Sequence, residues 1–376
     1  MINLVLSLDY EIFGNGSGDV RRDMIDPTSR LLTLCGHYGA KVTIFLEVGE
    51  YWAMKKADED GSLSLGYSPS REIEEQVRNA VCKGHDAQLH LHPWWIGANF
   101  KKNCWRLRPE YRRISDLPNG LGSEDDPFSV VGVLTRGKRT LEEMIHTVRP
   151  DYECLAYRAG EFWGQPSRKL ILGLRRAGLL ADSSVINDMY EMEPIPTDYR
   201  NAPSSDGYWW TSSDDISDSG PIGENIIEFP VYSRLCPYLT NFKWTKLAAT
   251  IKRHSVEKAD VHGHGMTTAR KSTASASGVI KNLFTKKPIK YDFCKLSAKD
   301  MILWLQHIIN NNRPANKESI MPVVMLGHSK DYWNDHNLEQ FLRYIQAECE
   351  EKVRFSTLAE LTDRIRKGGQ STEITS

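Results

Sequence analysis

Short apolar runs, each followed by a helical pattern, alternate along most of this 376-residue chain. Such alternation is typical of parallel strands with helices outside them. The predicted strands, in chain order, are 4–8, 41–46, 86–91, 153–157, 179–185, 226–231, 323–326 and 353–355. Strands of this kind in one chain predict an α/β fold built on a single barrel-like sheet.

No charged or proline-rich linker divides the sequence into halves. We therefore predict one domain over residues 1–365 and a flexible tail over 366–376. Two stretches break the alternation, at about 94–138 and 233–295, and are candidate lids or substrate arms, with unimportant surface excursions as the alternative. The second contains His262 and His264, which we interpret as a chance pair because no strand pattern holds them.

Charge and composition exclude several functional classes. The formal net charge is −1 and the pI is about 6.8, so no basic field would attract nucleic acid or an acidic membrane surface. No run reaches membrane-spanning length. The chain starts without a basic leader, and its seven cysteines are scattered, which fits reduced thiols. We expect a cytoplasmic protein.

Polar residues follow the predicted strands at their carboxyl ends, where the reactive face of a parallel barrel lies. They are Asp9, Glu11, His90, His92, Arg158, Asp182 and His328. Three histidines, three carboxylates and an arginine on one rim are hard to explain by packing alone. The sequence therefore predicts a chemical site at this rim.

His90 and His92 are the sharpest local signal. Residues i and i+2 of a strand point to the same side, so two imidazoles there can share one ion. With one carboxylate they leave positions open for water and substrate, as a catalytic divalent metal such as Zn²⁺ requires. Asp9 and Glu11 have the same spacing, so one could ligate the metal while the other acts as general base. The alternatives are a hydrogen-bonded histidine pair and a solvated acidic loop.

The other rim residues have two interpretations each. Arg158 could steer the base or bind substrate, or it could form a surface salt bridge. His328 could protonate a leaving group with Asp182 orienting it, or it could be a core histidine. Tryptophans in predicted loops suit sugar rings, although lid packing explains each of them equally well. They are Trp94, Trp95, Trp163, Trp209, Trp210 and Trp333. We predict that the first three bind substrate.

The order of these motifs resembles the polysaccharide deacetylases of the NodB-homology group, carbohydrate esterase family four. The resemblance spans residues 1–365. It rests on Ser7-Leu8-Asp9-Tyr10-Glu11, Gly84-His85-Asp86, His90-Leu91-His92-Pro93, Tyr157-Arg158-Ala159-Gly160, Asp182 and Leu326-Gly327-His328. It implies a distorted, TIM-like (β/α) barrel with about seven strands. The implied reaction removes an N-acetyl or other acyl group from a polysaccharide, a lipopolysaccharide or its precursor.

By this resemblance Asp9 is the catalytic base, Arg158 holds it, and His90 is the first metal ligand. His328 is the histidine that protonates the leaving amine, and Asp182 is the acid that tunes it. The implied cofactor is a divalent metal, zinc with cobalt, nickel or manganese as alternatives, and the implied partner is a carbohydrate. Chains of this variant type resemble cytoplasmic members of cell-surface polysaccharide pathways.

Two positions depart from the family pattern. Tyr10 stands where the family has a second aspartate, and Trp94 stands where it has its second metal histidine. The metal carboxylate is therefore Glu11, or Asp9 in a changed role, and His92 is the predicted substitute for the second histidine beside His90.

Two other functions stay open. A glycoside hydrolase on a related barrel would use two carboxylates, Asp9 or Glu11 with Asp182 or Glu161. A catalytically inert carbohydrate-binding protein would keep the fold without the chemistry. A metal requirement for activity separates the deacetylase from both.

Overall fold

The computed structural model describes residues 1–203, 207–237, 286–311 and 320–373, with the backbone alone for Pro237 and 369–373. The α-helices in these ranges are α1 (Asp26–His37), α2 (Val48–Glu59), α3 (Pro69–Cys82), α4 (Val130–His146), α5 (Arg168–Arg176), α6 (Ala298–Asn311), α7 (Asp335–Glu348) and α8 (Leu358–Glu373). The strands are β1 (Ile2–Tyr10), β2 (Val42–Glu47), β3 (Asp86–Leu91), β4 (Asn99–Lys101), β5 (Cys104–Arg106), β6 (Ala156–Ala159), β7 (Ala181–Asp182), β8 (Tyr190–Glu191), β9 (Thr197–Asp198), β10 (Trp209–Trp210), β11 (Ile227–Glu228), β12 (Ser233–Pro237), β13 (Lys286–Lys290), β14 (Met321–His328) and β15 (Val353–Phe355).

Nine strands form one sheet in the order β10-β11-β7-β6-β3-β2-β1-β14, with β15 paired to β1. Every pair in this sheet is parallel except β10 with β11. The antiparallel pairs β4–β5, β8–β9 and β12–β13 lie outside it. Because the main strands are parallel, their carboxyl ends meet at one edge of the sheet.

The sheet is curled. Val231, which follows β11, forms a parallel bridge with Val324 of β14, and Asp292 forms another with Leu326. These bridges bring distant parts of the strand order together. The predicted α/β class is confirmed, but the described residues form a curled half-barrel, and a closed TIM-like barrel is not shown.

The central strands are buried along their whole length. All residues of β1, β2 and β3 are buried, as expected for parallel strands covered on both faces. Burying a large aliphatic side chain, such as Leu6 or Ile44, stabilises a fold by about 1.5–3 kcal/mol. The strand ends that carry the polar residues therefore stand on a rigid frame.

Helix α2 is an element that the sequence pattern did not predict. It begins directly after β2, where the Glu47 side chain accepts hydrogen bonds from the backbone N–H groups of Gly49 and Glu50. Its buried face includes Glu50 and Tyr51, so its apolar periodicity is weak. This helix cap places a buried carboxylate at the end of β2.

Other boundaries differ from the prediction. Helix α4 begins at Val130, so the irregular stretch predicted to run to about 138 ends at Ser129, whose hydroxyl caps the helix. Trp209–Trp210 forms β10 rather than a loop. Helix α8 runs to Glu373, so the first part of the predicted tail, 366–376, is helical.

The predicted insertion 233–295 is described at its two ends, which pair as β12 and β13. Residues 238–285, with His262 and His264, lie outside the described residues. Within the described ranges, no helix is both long and apolar enough to cross a membrane.

Candidate metal centre

Four buried side chains meet at the carboxyl edge of the sheet: Glu11, Glu47, His90 and His92. Their nitrogen and oxygen atoms all lie within 4.8 Å of one another. Strand register explains the meeting, because Glu47 of β2 pairs with His90 of β3, and Glu11 follows the end of β1 beside them. Nitrogen and oxygen donors in this number suit zinc and similar divalent ions.

His90 presents one ring nitrogen to this cluster. Its Nδ1 lies 2.9 Å from the backbone oxygen of Arg158, and since a carbonyl only accepts, Nδ1 carries the proton. Its Nε2 is buried, lies 3.4 Å from Glu11 Oε2, and has no hydrogen-bond partner among the described residues. A buried nitrogen lone pair without a partner is what a metal ligand offers, so His90 fits a metal site.

His92 is held by two carboxylates. Its Nδ1 lies 2.8 Å from Glu47 Oε2 and 3.1 Å from Glu11 Oε2, and its backbone N–H also donates to Glu47. Gly160 packs against the other side of the ring, where an added Cβ would lie 2.3 Å from Cδ2 of His92. The glycine therefore leaves the space that His92 occupies.

Glu47 was missed by the sequence reasoning. The second strand was predicted to end at residue 46, so its last residue was not considered as a strand-end carboxylate. The signal existed, because Glu47 directly follows a β-branched and aromatic run and precedes Gly49. With it, the cluster contains two carboxylates rather than one.

Lys330 adds a positive charge at the rim of the cluster. Its ammonium donates to Glu11 Oε1 at 2.6 Å and to the backbone oxygen of Ile12 at 3.0 Å. Burial would raise the pKa of Glu11, but Lys330 and His92 outweigh it and hold that pKa well below its usual value. Burial would lower the pKa of His92, but Glu11 and Glu47 outweigh it and raise that pKa well above its usual value.

The same residues therefore have two possible charge arrangements. Without a metal, protonated His92 and Lys330 balance the charges of Glu11 and Glu47 in a closed ion-pair network. A divalent ion bound there would be held by neutral histidines; it would replace the second ring proton of His92, while His90 would keep its Nδ1 proton.

Asp9 lies beside this cluster and is paired with Arg158. The guanidinium Nη1 donates to Asp9 Oδ1 at 2.6 Å, and Arg158 also donates to Ser7 and Ser183. Burial would raise the pKa of Asp9, but Arg158, His90 and His328 outweigh it and lower that pKa. Asp9 is therefore ionised at neutral pH.

His328 pairs in register with Asp9 at the end of β14. Its Nε2 lies 3.6 Å from Asp9 Oδ2, beyond ordinary hydrogen-bond distance. Its Nδ1 is buried and has no hydrogen-bond partner within the described part of the chain. Burial and the nearby Lys295 lower the pKa of His328, so the ring is neutral at neutral pH.

Asp182 is fully buried, and its neighbouring side chains differ from the neighbour that the sequence predicted, His328. Ser184 donates to its Oδ1 at 2.7 Å, and Glu228 faces it in the strand register. Burial raises the pKa of Asp182 to about 6, and burial and the charge of Asp182 raise that of Glu228 well above its usual value. Among the described residues the side chain of Asp182 accepts a hydrogen bond from Ser184 and none from His328, and the tuning role of Asp182 stays a prediction.

The three tryptophans predicted to bind substrate are all more than nine-tenths buried. The Trp94 ring lies 4.4 Å from the His92 ring and 6.2 Å from that of Trp163, so it packs against the candidate metal cluster. Trp95 packs against Trp105 at 5.3 Å. These rings present little surface to a ligand, and their role in substrate binding stays a prediction.

No family model and no curated protein matches this chain. Among solved structures, it is similar to a protein from Mycobacterium smegmatis named as a polysaccharide deacetylase, with 12% identity, a TM-score of 0.42, and 98% of this chain and 91% of that one covered. The Puue allantoinase matches with 11% identity, a TM-score of 0.43 and coverage of 96% and 89%. A 4-alpha-glucanotransferase from Thermococcus litoralis matches with 12% identity, a TM-score of 0.44 and coverage of 96% and 40%. At such identities and TM-scores these likenesses carry no argument about activity, and they leave the exact family unassigned.

Proposed function

We propose that this chain is a metal-dependent hydrolase that removes an acyl group, in the first place an N-acetyl group, from a carbohydrate. The observation that carries the proposal is the buried cluster of Glu11, Glu47, His90 and His92, with donor atoms within 4.8 Å of one another. The unpartnered Nε2 of His90 favours a ligand set over a closed ion-pair network, because that network leaves this nitrogen without a hydrogen bond.

A divalent ion bound there would supply a Lewis acid that acidifies water and polarises a carbonyl oxygen. Ionised Asp9 is the base that accepts the proton of the attacking water, and Arg158 holds this carboxylate in place. His328 Nε2, 3.6 Å from Asp9 Oδ2, is placed to take up that proton and deliver it to the departing amine. The hydroxyl group of the water thereby ends in the carboxylic acid product, and its proton ends on the amine product.

The finer assignment rests on the resemblance of the strand-end motifs. It names a polysaccharide, a lipopolysaccharide or its precursor as substrate, zinc as the metal and the cytoplasm as the location. Each of these belongs to the proposal.

The decisive experiment combines metal analysis with acetate release. Purified protein loaded with zinc should hold one equivalent of metal and release acetate from N-acetylated oligosaccharides, and a chelator should abolish the release. His90→Ala should lose both the metal and the activity. A protein that takes up no metal and is indifferent to chelator would refute the proposal.

The two rival functions predict different products. Chelator-resistant cleavage of a glycosidic bond would identify a glycoside hydrolase. Carbohydrate binding without any product, in a metal-free protein, would identify an inert binding protein.

A further inference from the structure

Lys290, the last residue of β13, was not singled out by the sequence. The segment that follows it joins the edge of β14, where the Phe293 backbone N–H donates to the Leu326 oxygen at 2.9 Å. Asp292 bridges to Leu326 in the same stretch. Lys290 therefore directly precedes the segment that pairs with β14, the strand that ends in His328.

The ammonium of Lys290 reaches the loop that follows β6. It lies 4.3 Å from the centre of the Phe162 ring, next to the Arg158–Gly160 segment. Phe162 and its neighbour Glu161 both have left-handed backbone conformations, with φ of 62° and 53°. Such strain in non-glycine residues is concentrated at functional sites, where it holds a side chain in one position.

Lys290 differs from Lys295 and Lys330 at this rim because it has no carboxylate partner in the described part of the chain. Lys330 lies 2.6 Å from Glu11, and Lys295 lies 2.8 Å from Asp331. Within the described residues, no carboxylate oxygen lies within 4.0 Å of the Lys290 ammonium, which lies over the Phe162 ring.

Burial and the charge of Lys295 lower the pKa of Lys290, while Glu161, Asp292 and Asp9 act in the opposite direction. A half-buried ammonium without a carboxylate partner among the described residues loses part of its hydration, and the face of an aromatic ring compensates this loss only in part. An anionic group brought by a ligand would restore the missing ion pair.

We propose that Lys290 is a specificity-determining residue that binds an anionic substituent, a carboxylate or a phosphate, on the carbohydrate that enters this site. The nature of the substrate as an acylated carbohydrate rests on the proposed function. The anion preference itself rests on the placement of Lys290 and on its lack of a partner.

The test measures binding apart from reaction. Zinc-loaded protein is titrated calorimetrically with three probes: neutral N-acetylglucosamine, N-acetylmuramic acid, which adds a carboxylate, and N-acetylglucosamine-6-phosphate. We expect at least one anionic probe to bind about tenfold or more tightly than the neutral sugar, as a charge-assisted contact requires. The probe that gains affinity tells whether the site takes carboxylate or phosphate.

Three variants link the preference to this residue. Lys290→Met should bind all three probes equally, and Lys290→Arg should keep the preference. Lys286→Met removes the same charge from an exposed position on the same strand and should behave as the unmodified protein. Thermal unfolding checks the fold, and Lys290→Met should be at least as stable as the parent because it removes an unpaired charge.

The inference is overturned if the unmodified protein binds neutral and anionic probes alike, or if Lys290→Met keeps the preference. Failure of the proposed function looks different. In that case the Lys290-dependent preference for anionic probes persists although no acetate is released from any probe. Acetate release without a preference for anionic probes would contradict only the inference about Lys290.

Discussion

The Nδ1 atom of His92 lies 2.8 Å from Oε2 of Glu47, the residue that ends β2 and caps helix α2. One carboxylate therefore fixes the start of a helix, the backbone of the loop after β3 and an imidazole of the candidate metal centre. This contact makes Glu47 as important to the proposed metal site as the residues recognised from the sequence.

We expect Glu47→Gln to lower zinc affinity by about 10–100-fold, because an amide is a weaker ligand and orients His92 less firmly. Competition titration with a chromophoric chelator measures this loss. Glu50→Gln is the matched control. Burial and the charges of Glu47 and Glu11 raise the pKa of Glu50 well above its usual value, so it is already uncharged and a glutamine replaces it closely. Equal affinities of the two variants would contradict the role of Glu47.

Gly160→Ala should reduce metal binding without removing a ligand. The new methyl group would lie 2.3 Å from Cδ2 of His92 and must push the ring out of place. We expect a loss of zinc affinity, measured by the same titration, of about tenfold or more, as for other changes around the ligands. Gly36→Ala, in open space on α1, is the control and should bind zinc normally.

Arg158→Met should destabilise the fold by about 3–5 kcal/mol, because it leaves the buried Asp9 carboxylate without its partner. Urea unfolding measures the change in the free energy of unfolding. The double variant Asp9→Asn/Arg158→Met should be less destabilised than the sum of the single variants, since the unpaired charge is gone. Additive effects would show that the pair is not energetically coupled.

The Asp9–Arg158 pair also sets the lower pH limit of stability and of acetate release. The folded-state pKa of Asp9 is lowered from 3.8, so its contribution to stability is present above about that pH and is lost as the pH falls through the folded-state pKa. Arg158→Met removes the main opposing charge and raises this pKa. We expect the acid limb of acetate release to move to higher pH in this variant.

Asp182→Asn should remove a pH dependence of stability that runs opposite to that of Asp9. Burial raises the pKa of Asp182 from 3.8 to about 6, so its unfavourable ionisation weakens the folded state as the pH rises through that window. Relative to the parent, the variant should gain on the order of 2 kcal/mol between pH 4 and pH 7, measured by urea unfolding at each pH. Asp151→Asn, at an exposed position, should show no such gain. A stability difference between Asp182→Asn and the parent that does not change with pH would contradict the raised pKa of Asp182.

Trp95→Ala should act on stability first. The ring is 2% exposed and packs against Trp105, so its removal should lower the free energy of unfolding by about 3–5 kcal/mol. Ile222→Ala, at a position 71% exposed, should change it by less than about 0.5 kcal/mol. A stable Trp95→Ala variant with weakened sugar binding would instead support the substrate role predicted for this residue.

Local patterns in the sequence were sufficient for the α/β class and for the placement of His90, Arg158 and His328 at strand ends. Apolar runs reveal where a buried strand ends, and the i, i+2 rule shows which side chains share a face. Both are properties of a few consecutive residues, so they are readable without knowing what lies beside them.

Contacts between strands were decided by the tertiary structure. Lys330 meets Glu11 across 319 residues of sequence, Glu47 joins the histidines through the register of β2 on β3, and Glu228 faces Asp182 from β11. The unpaired Lys290 also depends on how the segment after β13 joins β14. Strand order and register result from packing summed over the whole core, and no short stretch of sequence contains that sum. The sequence alone therefore located the reactive edge, whereas the fold determined which charges meet there.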